Sequence, residues 1–135
     1  MTKLSGGCLC GRVRYTVDLE EDDISDYCHC RECRRASGAP VVAWVQVSPR
    51  RFLVTSGTAK AFTSSQEATR WFCGECGSQL YMTDAAEHSI GICIATLEDP
   101  NLVPPRMHSW FSERLPWFDT KDGFLRFPQQ PPYDL

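Results

Sequence analysis

The chain has 135 residues, of which 42% are hydrophobic and 23% charged, with a net charge of -3, and that size and balance suit one soluble globular domain. The negative charge argues against broad attraction to nucleic acid or an anionic membrane. The longest apolar run, "APVVAWVQV", is far shorter than the roughly 20 residues of a spanning helix.

Taken in order, the opening "MTKLSGGCLCG" has no apolar signal core, so a cytoplasmic location is expected. In "GRVRYTVD" Val13, Tyr15 and Val17 alternate with Arg12, Arg14 and Thr16, the mark of a strand with one buried face. The acidic run "DLEEDDISD", Asp18 to Asp26, reads as a solvated hairpin tip; no calcium-loop spacing is present in it. One or two helical turns are expected over Glu32 to Ser37, stopped by Gly38 and Pro40. Strand-like text follows in "VVAWVQVS", "RFLVTS", "QLYMT" and "SIGICIATL", separated by the turn signals "SPRR", "TSGT" and "EDPN". In the last segment Ile90, Ile92 and Ile94 share one expected face, and Gly91, Cys93 and Ala95 the other. The fold class is therefore all-β, with at most short helical turns. A single domain is expected over residues 1–135, with its core over about 6–127 and the proline-rich 128–135 as a surface tail.

Eight cysteines in a reducing compartment call for a reason other than disulfides. Seven fall in tight groups: Cys8 and Cys10; Cys28, Cys30 and Cys33; Cys73 and Cys76. Partners that close would form strained, tiny disulfide loops, so metal binding is the better account. The eighth, Cys93, lies among small residues on a strand and reads as a small hydrophobe. "WFCGECGS" is a zinc-knuckle pattern whose Gly74 and Gly77 let the backbone curl. Paired with "GCLCG" it gives a closed site of Cys8, Cys10, Cys73 and Cys76, a structural Zn2+ centre. Successive same-face strand residues stand roughly 6.6 Å apart, whereas sulfurs on one zinc are about 3.8 Å apart. Side-chain rotation and a bend at the flanking Gly7 and Gly11 can close that difference.

Cys28, Cys30 and Cys33 then remain as a three-sulfur set with an open fourth position, the arrangement of catalytic zinc. Other closures stay open: His29, His88 or His108 as fourth ligand, an iron–sulfur cluster using Cys93, or the knuckle serving the trio instead of "GCLCG". His29 would have to reverse its direction, because on an extended segment it points away from both neighbouring cysteines.

The motifs "GGCLCGRVRY", "CHCRECRRASGAP", "RWFCGECGSQL" and "HSWFSERLPWFDTKDGFLRFP", in that order from Gly6 to Phe127, resemble the glutathione-dependent formaldehyde-activating enzyme family, which includes the zinc domain of centromere protein V. The resemblance implies a β-tent of small coiled sheets held by zinc. It assigns a structural zinc to Cys8, Cys10, Cys73 and Cys76, and a second, catalytic zinc to Cys28, Cys30 and Cys33. The implied activity is carbon–sulfur lyase chemistry, making or breaking a thiol–aldehyde adduct such as S-hydroxymethylglutathione, with glutathione and formaldehyde as small-molecule partners.

Three thiolates already leave a bound zinc with net charge -1, which suits thiol capture better than carbonyl activation. Arg31, Arg34 and Arg35 flank the trio; Arg34, Arg35 and Ser37 are the candidate contacts for a glutathione-like ligand. Glu32 and His29 are candidate proton carriers. Trp44, Trp71, Trp110 and Trp117 are expected in the core or a pocket wall, and Arg70 in a structural role. The competing function is a zinc-stabilised binding module without turnover, a thiol carrier or a protein-interaction domain. No basic stripe interleaved with aromatics supports a nucleic-acid partner.

Overall fold

The structure is a computed structural model that describes residues 1–132; Tyr133–Leu135, the end of the expected surface tail, lie outside the described residues. Its elements run β1 (Thr2–Gly7), β2 (Arg14–Leu19), β3 (Ser25–Cys28), α1 (Arg31–Ser37), β4 (Val42–Val47), β5 (Phe52–Ser56), β6 (Ala59–Thr63), β7 (Ala68–Cys73), β8 (Gln79–Asp84), β9 (Ile90–Cys93), β10 (Met107–Ser109) and β11 (Leu125–Arg126), with short 3-10 turns between some of them. The all-β expectation holds. One sheet has the order β1-β2-β5, and the other β11-β10-β3-β4-β9-β8-β7-β6. All pairings are antiparallel except those of β10 with β3 and with β11, which are parallel.

The alternation in β2 does what its pattern predicts. Val13, Tyr15, Val17 and Leu19 are buried and pack against Val45, Val47, Leu80, Ile90 and Ile92 of the larger sheet, forming the main core between the sheets. Ile94 joins them, but β9 ends at Cys93 and a 3-10 turn over Ile94–Thr96 carries Ala95 out to solvent.

The acidic run is not a hairpin tip. β2 and β3 belong to different sheets, so Glu20–Ile24 is a crossover between them. Glu20, Glu21 and Asp22 are exposed, whereas Ser25 and Asp26 are buried. Asp23 is fixed by Arg51, whose two guanidinium nitrogens donate at 2.6 and 2.8 Å. The sequence shows no turn pair such as Asn-Gly here, and without one nothing forces the chain back beside β2.

The second face of the large sheet is set by register. Asp26 pairs with Trp44 and Trp44 with Cys93; one row along, Gln46 pairs with Gly91, Gly91 with Met82, and Met82 with Arg70. Cross-strand partners point to the same side, so these two rows form the floor on which α1 and the C-terminal segment sit. Gly91 keeps that floor open. A Cβ there would lie 3.0 Å from Gln46 Nε2 and 3.4 Å from Trp44 Cε3.

The C-terminal segment is tied down through Pro131. The N–H groups of Trp110, Phe111 and Ser112 donate to the carbonyls of Gln129, Phe127 and Pro128, and Pro131 is buried.

Candidate functional site

The trio is built by the start of α1. Cys28 ends β3, and Cys30 is the helix N-cap, with extended dihedrals and a sulfur that accepts the N–H of Cys33 at 3.2 Å. The C-x-x-C spacing thus doubles as a capping turn, which points N–H groups and the positive end of the helix at the sulfurs. The helix matches the expected span within one residue and stops at Gly38, whose left-handed conformation lets its N–H close on Arg34 O. Cys33 Sγ lies 3.5 Å from Cys28 Sγ, and all three sulfurs fall within 4.8 Å of one another. No histidine joins this group among the described residues.

Thiol hydrogen bonds from Cys28 and Cys33, helped by the Cys33 N–H, hold the Cys30 thiol down to about 2. The hydrogen bond to Cys30 in turn drives Cys28 far upward.

The counter-charge comes from Arg70. Its guanidinium lies 3.7 Å from Cys33 Sγ through both Nη1 and Nη2, and 3.8 Å from Glu32. Arg70 is 6% exposed. The structural role expected for it misses that it stands in the cavity, since only the β7-β8-β9 register carries it across to the trio.

His29 is buried and turned away from the sulfurs, as its extended backbone requires. Its Nε2 sits 2.8 Å from His108 Nδ1, and His108 Nε2 meets Asp122 Oδ1 and Thr120 Oγ1, each at 3.2 Å. Burial, then the neighbouring His108, pushes His29 down to about 4. His88 is largely exposed beside Asp84.

A cavity of about 660 Å³ opens over the trio. Cys28, Cys30 and Cys33 form one side; Trp44, Gln46, Gly91, Met82 and Arg70 form the floor; Trp110 and Glu113 close over it from the C-terminal segment. Glu113 Oε1 accepts the Arg31 N–H at 2.8 Å, fastening that segment to the start of α1. Trp110 holds a left-handed backbone at φ 53°, a costly conformation for so bulky a side chain. Arg34, Arg35 and Ser37 lie outside the cavity lining: Ser37 Oγ donates to Cys33 O at 2.7 Å and serves the helix end. Trp71 stacks on Tyr81 with ring centroids 5.5 Å apart, and Trp117 is 72% exposed rather than part of a wall. Cys93 is buried against the trio's packing cluster, and desolvation pushes it up to about 12.

The other four cysteines meet elsewhere. Cys8, Cys10, Cys73 and Cys76 place their sulfurs within 4.8 Å of one another, with Cys8–Cys10 at 3.6 Å and Cys10–Cys73 at 3.7 Å. Those separations fit the roughly 3.8 Å edge of a tetrahedral thiolate site. Cys8 and Cys10 are not on a strand. β1 stops at Gly7 and the chain turns, with the Gly11 N–H on Cys8 O, which brings together side chains that a strand would hold apart. The Val13 and Glu75 N–H groups point at the sulfurs of Cys8 and Cys73. Gly77, at φ +79°, donates to Cys73 O and closes the knuckle. None of the four lines the cavity.

Comparison with known proteins places the chain in a family. Residues 3–113 match the family described as glutathione-dependent formaldehyde-activating enzyme. The chain belongs to that family. A Schizosaccharomyces pombe protein named only as an uncharacterized lyase is 32% identical over 81 residues, covering 60% of this chain and 58% of that protein. The match thus spans little more than half of the relative's length. A solved Rhodobacter sphaeroides structure superposes with a TM-score of 0.62 at 24% identity, covering 76% of this chain and 97% of that one, and so shares the fold. No helix among the described residues is long and apolar enough to cross a membrane.

Proposed function

We propose that the protein is a zinc-dependent carbon–sulfur lyase acting on thiol–aldehyde adducts, with Cys28, Cys30 and Cys33 as its reactive centre. The observation that carries this reading is the contrast between the two cysteine groups: four sulfurs close on one another away from the cavity, while three line it with no fourth side-chain ligand gathered to them among the described residues. Cys8, Cys10, Cys73 and Cys76 are assigned a structural zinc. Both sulfur sets suit a borderline-soft metal such as zinc.

A metal held by the trio would supply an open coordination position and a charge that acidifies an incoming thiol. The chain's residues do the remainder. Arg70 offsets the negative charge of the trio from 3.7 Å. Glu32, paired with Arg70 and on the cavity wall, is assigned the proton relay through its carboxylate. Trp44, Met82 and Trp110 exclude water from part of the cavity. In the forward direction the thiol sulfur bonds to the aldehyde carbon, the carbonyl π bond opens, and the thiol proton ends on oxygen; the reverse breaks the C–S bond. The family's description names glutathione and formaldehyde, which are the pair to assay first.

The test is the rate of adduct formation and breakdown with and without zinc-loaded protein, against the Cys30→Ser variant. Acceleration by the wild type alone supports the lyase. Equal rates with and without protein contradict it.

A further inference from the structure

The cavity over the trio is acidic. Five carboxylates line it, from Asp26, Glu32, Glu67, Asp84 and Glu113, against the two guanidinium groups of Arg31 and Arg70. Arg70 is already committed to Cys33 and Glu32. Asp84 accepts N–H bonds from His88 and Ser89, and Glu113 accepts that of Arg31; these backbone donors carry no net charge and orient the carboxylates without cancelling it. Asp84 and Arg70 share the sheet face two residues apart, since Ala68 pairs with Asp84 and Arg70 with Met82. That places the Glu67–Asp84 edge roughly 7 Å along the strands from the arginine. A site for an anionic thiol would show free arginines at that edge; carboxylates stand there instead. Apolar walls from Trp44, Met82 and Trp110 strengthen their field.

We propose that this cavity selects thiols of zero or positive net charge, uncharged or amine-bearing, over thiols that carry free carboxylates. This rests on the preceding reading that a thiol reaches the trio, and narrows it. Glutathione, with two carboxylates and one ammonium, is disfavoured in its free form.

The experiment titrates zinc-loaded protein by calorimetry at low salt with four probes: glutathione, glutathione diethyl ester, cysteamine and N-acetylcysteamine. The ester keeps the glutathione skeleton and removes both negative charges, separating charge from shape. It is expected to bind about tenfold or more tightly than glutathione, with a gap that narrows as salt screens the field. Glu67→Lys, an exposed position, is expected to shrink that gap without loss of fold. Glutathione binding as tightly as its ester, or a gap unmoved by salt and by Glu67→Lys, overturns the selectivity alone. Absence of binding by all four probes overturns the thiol reading and this inference with it.

Discussion

Replacing Arg70 by Met isolates the electrostatic part of the trio. The methionine keeps much of the buried hydrocarbon volume and removes the guanidinium that lies against Cys33. At 3.7 Å a unit charge pair is worth about 1 kcal/mol in water and roughly 4 kcal/mol at an effective dielectric of 20. Arg70 is almost fully buried, which favours the upper part of that range, while Glu32 shares the charge and is itself exposed enough to be resolvated after the change. A loss of about 1.4–2.8 kcal/mol follows, or a 10–100-fold weaker hold on metal at the trio, in the range of other outer-shell substitutions. The assay is chelator competition, following zinc released from each site in Arg70→Met and in the charge-retaining Arg70→Lys. Loss confined to the more labile metal, partly restored by Lys, is expected. Unchanged affinity, or equal loss from both metals, would refute the reasoning.

Cys76→Ser should break the closed four-sulfur group and lower the melting temperature by more than about 10 °C or leave the chain insoluble, read by thermal denaturation. Cys30→Ser should stay folded, because a serine oxygen caps α1 as well as the thiol does, and elemental analysis should show one metal fewer. Gly91→Ala should cost about 1 kcal/mol as the new methyl presses on Gln46 and Trp44, and thiol affinity should fall while metal content, measured in parallel, is unchanged. Asp122 is held down to about 2: burial works against this, but hydrogen bonds from Thr120, the Phe124 N–H and His108 outweigh it. Its folded-state value lies below the unfolded one, so its stabilisation is present above about pH 4 and lost as pH falls toward 2. Asp122→Asn should therefore be less stable than wild type at pH 7, by on the order of 1 kcal/mol after solvent screening. Denaturant curves across this range should show the difference vanishing in acid.

What the sequence made legible was local. The alternation of Val13, Tyr15 and Val17, the short helix ended by Gly38, and the close spacing of each cysteine group depend on residues a few positions apart. Arg70 stayed hidden because its place follows from pairing along β7, β8 and β9, and the partner it meets is 37 residues away. The His29–His108 contact spans 79 residues and needs the parallel docking of β10 on β3, which no short-range pattern announces. The crossover through Glu20–Ile24 was misjudged for a related reason, whereas the bend expected at Gly7 and Gly11 is where the chain turns. Charge and alternation say which residues are wet, but not which sheet the next strand will join. Arg34 and Arg35 drew attention by adjacency, yet a helix seven residues long turns some neighbours of a ligand away from the cavity that the ligand lines.

The most direct measurement is metal-edge anomalous diffraction from crystals of the zinc-loaded protein before and after soaking with glutathione diethyl ester. The account predicts two metals: one bound by the sulfurs of Cys8, Cys10, Cys73 and Cys76, the other by those of Cys28, Cys30 and Cys33 with a fourth ligand that the soaked thiol replaces. A single metal, or two metals each enclosed by four protein ligands and unchanged by the thiol, would contradict it.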